Sequence, residues 1–187
     1  MASRCGIRLN IQGEIGAHAS TFEVTLDMAR HAEQLGYDSI WIPDHVENVH
    51  LNRGKPILEF WTTLTAIGAL TQPMQLGGHS MNNPFQHPGL NAEIVSTLDR
   101  ITNGRVILLP SSGWFEAEAV SYGFAWGDRE ERHARFKESF EVMKRLFAES
   151  VTTFVGRYVE LQDAYWPPKP GQQLHPPFWI AGEGPLT

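Results

Sequence analysis

Cysteine is almost absent from this chain. Cys5 stands alone, which excludes an internal disulfide and a zinc site built on thiolates, and fits a reducing compartment. Metal-binding histidine pairs are missing too: His45, His50, His79 and His87 fall in loops or at strand ends, with no HxH or HExxH spacing, so no metal is expected. There is no basic excess. A net charge of -6 and a pI near 5.7 give no electrostatic footprint for nucleic acid or an anionic membrane. No apolar run approaches the roughly 18 residues of a membrane span, and residues 1–8 hold no signal-peptide core. Charge blocks and low-complexity linkers are lacking as well. What remains is a single domain over residues 1–187, expected in the cytoplasm, with a small molecule as its partner.

What is present is a repeat of strand and helix. Residues 6–11 alternate Ile7, Leu9 and Ile11 with Arg8 and Asn10, the pattern of a first strand. Ser20 and Glu23 make a capping box, and Phe22, Leu26, Ala29, Ala32 and Leu35 then recur at three- and four-residue steps, so a helix follows. Gly36 ends it. Residues 38–42 predict the second strand, 58–70 the second helix and 74–79 the third strand. Residues 81–87 (MNNPFQH) read as a loop, Pro88 opens a third helix, and Asn103-Gly104 closes it. A fourth strand spans 106–109 up to Pro110, and residues 111–114 turn into a short helical segment over 115–120. Asp128 caps the longest helix, 152–155 and 158–161 flank Gly156-Arg157 as a hairpin, and 178–181 predict a fifth strand after a Pro-rich loop. Helices after each of the first four strands describe a parallel α/β fold.

The stretch around which the rest is organised is ARHAEQLGYDSIWIPDH, residues 29–45. In a parallel sheet the carboxyl ends of strands converge on the ligand, so Asp44 and His45, just past the second strand, are the first candidates for chemistry. Read from the residues alone, the plainer reading comes first: Asp44 is a turn-capping carboxylate beside a solvated histidine. Gly77, Gly78, His79 and Ser80 close the third strand, which the two glycines soften whether or not a ligand lies there.

Several strings together resemble the luciferase-like monooxygenase family of flavin- and deazaflavin-dependent oxidoreductases. They are AEQLGYDSIWIPDH (32–45), FWTTLTAIGALT (60–71), NNPFQHP (82–88), STLDRITNGRVIL (96–108), GWFEAEA (113–119), VTTFVGRYVELQDA (151–164) and PPFWIAGEGP (176–185), in the family's order. The resemblance implies a (β/α)8 TIM barrel, but eight strands need about 250 residues. The expectation is therefore a luciferase-like barrel truncated to about its first five strands and, with both sheet edges open, a homo-oligomer.

By that resemblance the cofactor is coenzyme F420, a deazaflavin, or FMN, and the activity is hydride transfer to or from a small organic substrate, with monooxygenation in the FMN branch. His45 would exchange a proton beside the reactive ring carbon, and Asp44 would bond the ring or orient that histidine. His79 and Ser80, joined by a cis peptide, would press on the ring's back face. Ser112 and Gly113 would meet the ribityl chain, and the amides of Gly182, Glu183 and Gly184 would receive the phosphate, with Glu183 an awkward neighbour for an anion. Truncation, together with a proline at position 110, leaves an alternative: a catalytically silent fragment or assembly subunit that holds no cofactor.

Overall fold

The spacing of apolar residues is realised as a layer of parallel strands with helices on its outer face. The structure, a computed structural model, describes residues 4–9, 21–49, 55–165 and 168–180. In chain order its elements begin with β1 (Gly6–Arg8), α1 (Phe22–Gln34), β2 (Ser39–Ile42), α2 (Phe60–Leu70) and β3 (Gln75–Gly78). Next come β4 (Met81–Asn82), α3 (Pro88–Ile101), β5 (Val106–Ile107) and β6 (Pro110–Ser111). The chain continues through α4 (Glu116–Ser121), α5 (Arg129–Ala148), β7 (Val151–Val155) and β8 (Glu160–Tyr165). Among the described residues no helix is long and apolar enough to cross a membrane.

β1, β2, β3 and β5 lie side by side in that order, every pair parallel, with Ile7 opposite Ile40, Ile40 opposite Leu76, and Leu76 opposite Val106. Beyond β5, Leu108 forms a parallel bridge to Phe178, which sets the expected fifth strand next to the fourth. Among the described residues that strand consists of this bridge and its two flanking bonds, from the Leu108 amide to Pro177 O and from the Trp179 amide to Leu108 O. Ile40, Ile42, Leu76 and Leu108 are at most 1% exposed and share one core with Phe60, Leu64, Ile67, Val95 and Leu98 of the helices. The inner face is built differently. A Cβ on Gly6 would stand 2.7 Å from the Trp41 indole nitrogen and one on Gly77 would overlap the same ring, so two neighbouring strands lack side chains where Trp41 lies across them.

Three local readings need correction. The cap of α1 is Thr21, whose hydroxyl accepts from the Val24 amide at 3.4 Å; the expected cap, Ser20, lies outside the described residues. Residues 81–87 are not all loop: Met81–Asn82 pair in parallel with Pro110–Ser111, and a 3-10 turn at Asn83–Phe85 follows. Pro110 thus belongs to a strand instead of ending one. Proline is tolerated as the first residue of so short a strand, and it is Leu109 O that accepts from the Met81 amide. The expected hairpin, β7–β8, is antiparallel, forms a sheet of its own apart from the parallel one, and is longer than the sequence suggested.

Candidate active site

The end of β2 is where polar groups go into the interior. Asp44 and His45 are each 6% exposed, in a loop that continues through buried Glu47 and Asn48. Asp44 is tied to the start of the β4 segment: its Oδ2 accepts from the Asn82 amide at 2.7 Å, and its backbone carbonyl accepts from the Asn82 side chain. Burial pushes the Asp44 carboxyl up to about 7, and the negative charges of Glu59 and Glu118 add to that push. The Asn82 amide bond works in the opposite direction, since it favours the carboxylate. Glu59 itself caps α2, accepting from the amides of Trp61 and Thr62 at 3.0 and 2.7 Å.

His45 is held from the other side by Glu118 of α4. Its Nδ1 lies 2.7 Å from Glu118 Oε2, with Glu118 only 1% exposed. The second carboxylate oxygen accepts from the amides of Val46 and Glu47 at 2.6 and 3.2 Å. One turn later the Tyr122 hydroxyl donates to Val46 O at 3.1 Å. The Trp114 ring stands edge-on to the imidazole with centroids 5.7 Å apart. α4 therefore clamps the loop after β2 by both its backbone and its histidine.

The end of β3 supplies the next two candidates. The His79 amide donates to Ile42 O at 2.8 Å, which fixes the two strand ends side by side, and the His79–Ser80 peptide is cis. His79 is exposed and lines a cleft of about 310 Å³ with Gly6, Arg8, Trp41, Leu109 and Trp179. Trp41 and Trp179 meet there with centroids 5.1 Å apart. Ser112 and Gly113 are half-buried in the turn after β6. Gly113 has φ of +84°, and a Cβ there would come within 3.0 Å of Pro84 and 3.2 Å of Trp126, so conformation and space both call for glycine. Gly182, Glu183 and Gly184 lie outside the described residues.

Sequence reasoning missed Glu118, Asn82 and Glu59. A signal for the first existed: Phe115, Glu118, Ala119 and Tyr122 fall at helical spacing, which sets a carboxylate on the apolar side of a short helix, where Glu118 and Ala119 are buried. Asn82 and Glu59 meet Asp44 only through tertiary structure and left no local trace.

The chain is 32% identical over 164 residues to an F420-dependent glucose-6-phosphate dehydrogenase of Amycolatopsis mediterranei, covering 87% of this chain and 48% of that protein. It is 34% identical over 163 residues to the enzyme of the same name from Nakamurella multipartita, covering 86% and 47%. The chain thus spans about half the length of the curated relatives it matches. Among solved structures, an F420-dependent secondary alcohol dehydrogenase in complex with an F420-acetone adduct superposes with a TM-score of 0.84 at 22% identity, covering 97% of this chain and 53% of that one. A type II Baeyer-Villiger monooxygenase of Pseudomonas putida in complex with FMN gives 0.77 at 20% identity, covering 96% and 51%. The fold is that of a luciferase-like TIM barrel, of which this chain forms about half. The family model for luciferase-like monooxygenases matches residues 5–187, and the chain belongs to that family.

Proposed function

We propose that this chain forms the part of an oxidoreductase barrel that receives the reactive ring of coenzyme F420 or of FMN and brings it to a small organic substrate. The observation that carries this reading is the buried group of Asp44, His45 and Glu118 at the carboxyl end of β2. The names of the curated relatives favour F420 over FMN. Room for the ring lies beside His79, in a cleft that Asp44 and His45 back without lining. A cleft of about 310 Å³ sits at the low end of the roughly 300–1,000 Å³ usual for small-molecule pockets, with indole walls, Leu109, and the polar edges of His79 and Arg8. It suits a planar heteroaromatic ring and is too small for a whole coenzyme.

The bound cofactor supplies the hydride exchange, or monooxygenation in the FMN branch. The protein's share is positioning and proton transfer. His45 takes or returns the proton that accompanies hydride movement at the substrate, a task an imidazole performs near neutral pH. Asp44, with its pKa near 7, holds its proton below neutral pH and about half of the time at pH 7, and in that form can donate a hydrogen bond to an acceptor on the ring edge. Ser80, Ser112 and Gly113 offer hydroxyl and backbone groups along the cofactor's chain, and Gly182, Glu183 and Gly184 are assigned its phosphate.

Titration of the 187-residue chain with F420 and with FMN, followed by absorbance and calorimetry, tests this reading. We expect dissociation constants in the micromolar range or weaker, because about half of a family barrel is outside this chain. A second reading, a cofactor-free half barrel serving as a fragment or assembly subunit, is favoured by Leu35, Trp179 and Ile180, which stand half or more exposed. Failure of both cofactors to bind at millimolar concentration would leave only that second reading.

A further inference from the structure

Glu118 is a buried carboxylate to which the chemistry described above gives no part. Its partners limit what it can be. Oε1 accepts two backbone N–H groups, Val46 at 2.6 Å and Glu47 at 3.2 Å, and neither donor can reverse its polarity. Oε1 therefore only accepts and carries no proton. The remaining question is which atom holds the proton in the 2.7 Å contact between Oε2 and His45 Nδ1. With Glu118 as a carboxylate, Oε2 can only accept, so the proton in that contact belongs to the ring.

We propose that Glu118 is a positioning residue that locks neutral His45 in the tautomer protonated on Nδ1. Nε2 is then the ring nitrogen that accepts a proton. This rests on the reading of His45 as the proton-exchanging residue and adds a polarity to it: the neutral ring acts as base through Nε2, and only the imidazolium donates from there. Four contacts keep the lock in register. The two amides fix the carboxylate, Tyr122 Oη fixes the Val46 carbonyl, and the edge of Trp114 against the imidazole opposes a ring flip. A histidine whose Nδ1 bonds a carboxylate is a recurrent way to fix a tautomer, and the second nitrogen then has a defined role.

The substitution Glu118→Gln makes the inference sharp because the amide is isosteric but not symmetric. Its oxygen must stay on the Val46 and Glu47 amides, which are donors. Its NH2 group then faces Nδ1, which has to accept. The proton moves to Nε2, so one substitution inverts the tautomer without removing an atom from the packing.

The test is 15N NMR of the imidazole nitrogens in the full chain, with no cofactor or substrate, at a pH above the ordinary histidine range. The His45 signals are assigned by their loss in His45→Gln. In the unsubstituted chain we expect Nδ1 to resonate as the protonated nitrogen and Nε2 as the bare one, and in Glu118→Gln we expect the two to exchange types. A wild-type His45 protonated on Nε2 overturns the proposal, and so does an unchanged tautomer in a folded Glu118→Gln variant. Should that variant fail to fold, the wild-type spectrum decides alone. Failure of the proposed function reads out elsewhere, as a His45→Ala enzyme with undiminished turnover, and leaves the tautomer result standing.

Discussion

Asp44 is a carboxyl group placed where water cannot stabilise its charge, and that has a consequence for stability. Its pKa is about 7 in the folded chain against an ordinary value of 3.8. Between those values the folded state holds more protons than the unfolded one, so this group's contribution to stability falls as pH rises through that window. Below about pH 4 the penalty is absent, and above about pH 7 it is complete, on the order of 4 kcal/mol at most. Asp44→Asn keeps an oxygen for the Asn82 amide and cannot ionise. Its melting temperature relative to the parent should therefore rise from near zero difference at about pH 4 to several degrees above about pH 7. A pH-independent difference in calorimetric scans would contradict the assignment. His45 is tested by kinetics: in a full barrel carrying these residues, His45→Ala should lower turnover by roughly 100-fold or more, the usual scale for losing a general acid or base, with a smaller change in cofactor affinity. His87→Ala serves as the control. That imidazole is exposed and accepts from the Gly89 amide at the start of α3, so its loss should leave turnover within a few-fold.

At the scale of elements, one carboxylate of α5 ties down the turn of the hairpin, beside the cation–π contacts of Arg135 with Tyr158 and Arg145 with Phe154. Glu138 accepts from the amides of Arg157, Tyr158 and Val159 at 2.9, 2.7 and 2.6 Å and so closes the turn between β7 and β8. Hydrogen bonds to a charged acceptor contribute about 1.5 to 3 kcal/mol each in favourable cases. Glu138→Ala should destabilise the chain by about 2 kcal/mol and speed hydrogen exchange at those three amides, with the loop after β2 unaffected. Uniform acceleration across both regions would mean that the hairpin is not a separate unit. Such clamps mark the boundary of what sequence could tell. α1, α3 and α5 were legible because their apolar residues recur at helical spacing and Pro88 and Asp128 announce two of the starts. β2 was legible from its β-rich run ahead of Pro43. β4 and β6 were not, since two-residue strands carry no period and owe their pairing to tertiary structure. Asp44 and His45 stood out by position after a strand. Glu118, 73 residues from His45, could be joined to it only by the fold.

The whole molecule presents a sheet whose first strand, among the described residues, pairs on one side only. Along that edge Ile7, Val24, Met28, Ala32, Leu35 and Tyr37, joined by Asp27 and His31, line a largely apolar recess of about 530 Å³ between α1 and β1. Leu35 is 66% exposed there. At the opposite edge Trp179 and Ile180, next to the Leu108–Phe178 bridge, are 50% and 51% exposed. Unpaired strand groups flanked by apolar side chains are a template for association, because a second surface satisfies the backbone and removes the side chains from water together. The 187-residue chain by itself should therefore self-associate. Sedimentation velocity is expected to show a weight-average mass that rises with concentration. Leu35→Lys, which sets a charge on the recess without touching the buried stripe of Leu26, Ala29 and Ala32, should shift that rise to about tenfold higher concentration while leaving helical content unchanged. A chain that stays monomeric and melts cooperatively at all concentrations would show that these edges are already satisfied within one copy.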